Sequence, residues 1–159
     1  MEDTKQKFQH FKRLGRELAM QYLFNTDIKG PDSPGEYTLF WEGIREQLEL
    51  EDDRFFRKAR KYAERLVIGI KENVEEIDKI ISSFSEKWDI NRMAIVDRNI
   101  IRVAVYEMKF SPDIPPVVSI DEAVGIAKEF SSEKSGLFIN GILNAVKDSL
   151  PPAEAAEKS

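Results

Sequence analysis

Every long segment of this chain repeats its apolar residues at a helical period, and that regularity leaves few folds open. Residues 8 to 24 set Phe8, Phe11, Leu14, Gly15, Leu18, Ala19 and Tyr22 on one stripe. Residues 52 to 71 do the same with Phe55, Phe56, Ala59, Tyr62, Ala63, Leu66, Val67 and Ile70, and residues 73 to 84 with Val74, Ile77, Ile80, Ile81 and Phe84. Asp52 or Asp53 can accept from the free N–H groups at a helix start. Ser119-Ile120-Asp121-Glu122 has the form of a capping box, with Val118 able to staple against Ala123. Ser135 can cap a helix through Leu137, Phe138, Ile139, Ile142, Leu143 and Val146.

The stretch VDRNIIRVAVYEM, residues 96 to 108, resists this reading, because it is β-branched and aromatic enough for a buried strand. A lone strand, however, would leave its backbone groups without a ladder partner. As a helix it sets Ile100, Ile101, Ala104, Val105 and Met108 on one face and Val103, Tyr106 and Phe110 on the next. A helix apolar over most of its circumference belongs at the centre of a core. Asp97 and Arg98 then fall in its first turns, where an acid favours the positive helix end. Arg102 must extend its head to water or pair with an acid.

Proline, glycine and small polar residues break the pattern at residues 29–36, 85–91, 111–116 and 131–136. A length of 159 residues suits one domain, or two small halves sharing a core. The expectation is a single all-α domain over residues 1–150, read in two parts. The first is 1–71, with a basic first helix; the second is 72–150, with the central helix at 92–110. A flexible tail, 151–159, follows.

Composition narrows the chemistry. With no cysteine and one histidine, His10, the chain lacks the groups for thiolate zinc sites, cysteine nucleophiles and most histidine general bases. Glu72, Glu75 and Glu76, like Glu51, Asp52 and Asp53, lie in no metal-ligating motif and read as solvated or capping carboxylates. No glycine-rich phosphate loop appears. The expectation is a non-enzyme with no metal and no cofactor. The longest apolar runs are far short of the roughly 20 residues a membrane span needs, and the polar N-terminus lacks a signal-peptide core, which points to the cytoplasm.

Net charge is −5, yet residues 4 to 16 carry five basic residues and no acidic one, so everything else carries −10. At about 100° per residue, Lys5, Gln9, Lys12, Arg13, Arg16, Met20 and Phe24 fall within an arc of roughly 120°, away from the apolar stripe. Cations for phosphates beside a ring for an unpaired base is how single-stranded RNA is held. The alternative is a solubilising face with Met20 and Phe24 packed on another helix.

Four segments in order, RELAMQYLF (16 to 24), DRNIIRVAVYEM (97 to 108), IPPVVSIDEAVGIAKEF (114 to 130) and SGLFINGIL (135 to 143), resemble the NusB family of bacterial transcription antitermination factors. The resemblance covers the first helix and nearly all of the C-terminal half. It implies about seven helices in two subdomains and a non-enzymatic role: binding boxA-type RNA of ribosomal RNA leaders together with NusE, the small-subunit ribosomal protein, in an assembly that joins RNA polymerase. It further implies RNA contacts by Lys12, Arg13, Arg16 and Phe24 on the first helix and by Lys134, Ser135 and Phe138 near the C-terminus. Asp97 and Pro116 fall where the family meets NusE. The family can also form homodimers that hide the RNA surface. The chain departs from the family in its fewer arginines and in Gly15, where alanine is usual; lysine lacks the bidentate fork of arginine. The competing expectation is therefore a protein-interaction adaptor of the same fold that has lost specific RNA binding.

Overall fold

A computed structural model of the chain describes residues 10–31, 33–84 and 90–151. Lys5, Phe8 and Gln9, expected on the first helix, lie outside the described residues, as does the expected tail beyond Pro151. The elements are α1 (Phe11–Lys29), α2 (Pro34–Gln47), α3 (Arg54–Glu72), α4 (Val74–Ser83), a 3-10 turn at Ile90–Arg92, α5 (Ile95–Phe110), α6 (Pro116–Phe130) and α7 (Glu133–Ser149). The described residues contain seven α-helices and no strand, as the all-α reading requires. They divide into two compact units between Ile68 and Gly69, near the C-terminal end of α3.

The first unit is built on the stripes of α1, α2 and α3. Leu14, Leu18, Tyr22, Trp41, Phe56, Ala59 and Leu66 are all fully or almost fully buried. Tyr22 stacks on Trp41 at 5.6 Å and meets Phe40 edge-on at 5.1 Å. Gly15 is explained by closeness. A Cβ there would sit 2.9 Å from Cδ2 of Tyr62 and 3.0 Å from the carbonyl oxygen of Ala59, so the missing methyl lets α1 and α3 approach. Asp53 caps α3 as expected, its Oδ1 accepting from the Phe56 N–H at 2.9 Å. At the head of α2, Glu36 Oε1 accepts from both the N–H and the hydroxyl of Ser33 at 3.0 Å, with Pro34 at the first helical position.

The second unit wraps α5. Its buried residues include Asp97, Glu107 and every position from Asn99 to Val105, and α4, α6 and α7 all pack against it. VDRNIIRVAVYEM is thus the buried central helix, although α5 starts at Ile95 and not at 92, because residues 90–92 take a 3-10 turn. Arg102 pairs with an acid: Nε and Nη2 donate to the two carboxylate oxygens of Asp78, each at 2.8 Å, and Nη1 donates to Asn99 at 3.0 Å. The last turn of α3 contains Gly69, where a Cβ would overlap the ring and hydroxyl of Tyr106.

Two helix starts differ from expectation. Ser119 is not a cap. Helix α6 already begins at Pro116, whose fixed φ suits the first helical position, and Ser119 lies inside, donating to the fully buried Glu107 carboxylate at 2.9 Å. Val118 is correspondingly 40% exposed and staples nothing into the core. Ser135 is not the cap of α7 either; Ser132 is, its Oγ accepting from the Ser135 N–H at 3.0 Å. This earlier start turns Gly136, Ile139, Leu143 and Val146 inward and leaves Leu137 74% exposed.

Candidate nucleic-acid interface

The residues expected to meet RNA fall in two places, the head of α1 in the first unit and the head of α7 in the second. At the head of α1, His10 is the N-cap, its Nδ1 accepting from the Lys12 N–H at 3.2 Å. Arg13 Nε donates to Glu17 Oε2 at 3.2 Å, with the glutamate side chain only 3% exposed. Lys12 and Arg16 both lie over the Tyr62 ring, at 5.5 and 5.8 Å from its centre. Arg16 is only 5% exposed and Met20 only 2%. The long Arg16 stem lies along apolar surface while its head meets a ring face, so an arginine can be buried without being orphaned. The strip drawn from the sequence therefore narrows on the described residues to Lys12 and Arg13, with Phe24 half-buried at its far end.

At the head of α7 the sequence brought more together than it announced. Lys134, Ser135 and Phe138 line one hollow of about 170 Å³, and Asp97, expected on a separate partner surface, lines it too. Ser135 donates to Asp97 Oδ2 at 2.9 Å, tying the first turn of α5 to the first turn of α7. Asp97 is only 7% exposed, and its Oδ1 is shut off from solvent with no donor. The buried carboxylate thus sits in one hollow with Lys134, Ser135 and Phe138. Arg92, from the 3-10 turn, lines the hollow as well and was not singled out by the sequence; nothing in its period or composition marked it. Pro116 is half-buried at the start of α6 beside the exposed Val117 and Val118, and is not among the residues that line the hollow.

Among the described residues no group of His, Cys, Asp or Glu is arranged to hold a metal ion, and no helix is long and apolar enough to cross a membrane. Cations, serines, a ring and a carboxylate line one hollow in a small protein whose described residues form only helical elements. The family model of NusB matches residues 13–148, and the chain belongs to the NusB family. It is 46% identical over 139 residues to the transcription antitermination protein NusB of Pelotomaculum thermopropionicum, spanning 87% of this chain and 90% of that one. It is 42% identical to the NusB of Bacillus cereus over 139 residues, spanning 87% and 98%. Among solved structures it is similar to Thermotoga maritima NusB, with a TM-score of 0.73 at 36% identity over 92% of this chain and 96% of that one. It is also similar to a chain in the complex of antitermination factors NusB and NusE with double-stranded RNA, with a TM-score of 0.70 at 29% identity over 88% and 98%.

Proposed function

We infer that the chain is a transcription antitermination factor that holds boxA-type RNA of ribosomal RNA leaders together with NusE, so that RNA polymerase elongates processively. The observation carrying this reading is the likeness, over most of both chains, to a protein solved in complex with NusE and RNA. The protein has no catalytic step to perform; it supplies a surface in the cytoplasm. Lys134 and Arg92 supply cations at the head of α7, Phe138 a ring for an unpaired base, and Lys12 and Arg13 the basic contribution of α1. Pro116, with the exposed Val117 and Val118, offers NusE a surface distinct from the hollow.

The experiment is a titration of boxA RNA and of a scrambled RNA with the purified chain plus NusE. Tighter binding of boxA is expected, and equal affinity for both would refute the reading. A second reading, an adaptor without specific RNA binding, draws on the burial of Arg16 and the engagement of Arg13 with Glu17. It expects the chain to capture NusE and no leader RNA.

A further inference from the structure

The hydroxyls at the head of α7 form a chain whose direction can be worked out by counting protons. A serine hydroxyl has one proton and two lone pairs, and a carboxylate only accepts. Ser135 lies 2.9 Å from Asp97 Oδ2, so its one proton goes to Asp97. Ser132 donates to Ser135 Oγ at 3.2 Å. Ser131 Oγ lies 2.9 Å from Ser135 Oγ, and since the Ser135 proton is already committed, Ser131 must donate. Ser135 is then saturated, with one bond donated and two accepted. It has nothing left for RNA, although the family resemblance made it a contact.

The same count tells what the outer end of the relay offers. Ser131 has given its proton inward and keeps both lone pairs. Ser132 has given its proton inward, accepts from the Ser135 N–H at 3.0 Å, and keeps one. Both serines are exposed. Asp97 Oδ1, buried and without a donor, adds a further unmet acceptor at the inner end. The cluster thus presents acceptors and no hydroxyl donors. A phosphate oxygen, itself an acceptor, finds a partner in Lys134 or Arg92 but not here.

We propose that this serine–aspartate relay is a donor-reading subsite of the RNA surface, accepting hydrogen bonds from a nucleotide's ribose 2′-hydroxyl or base N–H, with Asp97 as its positioning residue. The proposal rests on the RNA-binding reading above and deepens it. Asp97 does not touch the nucleotide; it fixes the direction of the hydroxyls that do. The 2′-hydroxyl is the group by which a protein distinguishes RNA from DNA at a given site, so the relay would contribute to that choice.

The test scans a short boxA RNA, bound by the full-length chain with NusE, one nucleotide at a time. One series replaces each ribose by its 2′-deoxy form and the other replaces each base by an analogue that keeps the ring but lacks its N–H donor. In the wild type, one position should lose about fivefold in affinity, the net value of one hydrogen bond. A response in the first series assigns the donor to the ribose, and in the second to the base. Asp97→Ala should weaken the parent RNA by a similar factor and abolish the response at that position. Asp97→Asn, whose carbonyl can still accept from Ser135, should keep it. Because Asp97 is buried, the paired exposed change Ser131→Ala with Ser132→Ala provides a variant that spares the core and should also abolish the response. Unchanged sensitivity in both the Asp97→Ala and the paired serine variants overturns the proposal. So does weaker NusE capture by Asp97→Ala with an unchanged RNA scan, which would give the carboxylate to the protein partner. If boxA binds no better than scrambled RNA, both readings fall; if it binds specifically but the scan is flat at every position, the relay alone falls.

Discussion

The heads of α1 and α7 begin from opposite sequence signals and end with opposite chemistry. Residues 4 to 16 hold five basic residues and no acidic one, yet on the described part of α1 that charge is partly engaged within the first unit: Arg13 with Glu17, and Lys12 and Arg16 with Tyr62. The segment SSEKSG looks like a polar linker. It becomes a helix start that gathers Lys134, the serine relay, Phe138 and Asp97 around one hollow. Formal charge along a sequence is therefore a poor guide to charge available to a ligand. Arginine, with a long apolar stem and a planar head that stacks on rings, is the residue for which the two diverge most.

Arg16→Ala should have the largest effect, and on stability: losing a desolvated guanidinium over Tyr62 and its packed stem should cost about 2 kcal/mol. Chemical denaturation checks this; an unchanged midpoint would return Arg16 to the surface strip. Gly15→Ala should come next, with a net loss of about 1 kcal/mol. Crowding against Tyr62 and the Ala59 carbonyl costs about 1 to 3 kcal/mol, partly offset by about 1 kcal/mol of better helix propensity. A gain in melting temperature would show that α1 and α3 have room to move apart. The smallest effect concerns a third helix head. Hydrogen bonds from the Ser33 backbone and hydroxyl, with Lys29 alongside, hold the Glu36 carboxyl below its usual range. Such a depressed value adds stability above the ordinary carboxylate range, and that stability is lost as pH falls through the lowered one. Comparing wild type with Glu36→Gln across acid pH should show a difference that vanishes at the acid end; a constant difference would mean the bonds are not made in solution.

Legibility followed the source of each signal. The helical period revealed α1, α3, α4 and α5 because burial of an apolar face is written in spacing, and α5 survived its β-branched composition because the described residues contain no strand to pair with it. Helix starts were harder. Ser131, Ser132 and Ser135 are chemically alike, and which one caps α7 depends on which register turns Ile139 and Leu143 inward, a tertiary choice. Ser119 looked like a cap because the sequence did not show that Pro116 had already begun the helix, or that the Glu107 carboxylate was waiting inside. Of the site residues, Lys134, Ser135 and Phe138 stood together in the chain and stayed together. That Asp97 joins them is a pairing across 38 positions, which no local pattern encodes.

The exposed cation at the head of α7 should count for more in RNA binding than the buried one on α1. This is tested most directly by titrating boxA RNA, in the presence of NusE, onto wild type, Lys134→Ala and Arg16→Ala at two salt concentrations. With about three phosphate contacts, the wild type should lose log affinity against log salt with a slope near −2. Lys134→Ala should bind more weakly with a slope shallower by about 0.7, whereas folded Arg16→Ala should keep the wild-type slope. A shallower slope for Arg16→Ala with Lys134→Ala indistinguishable from wild type would contradict the account.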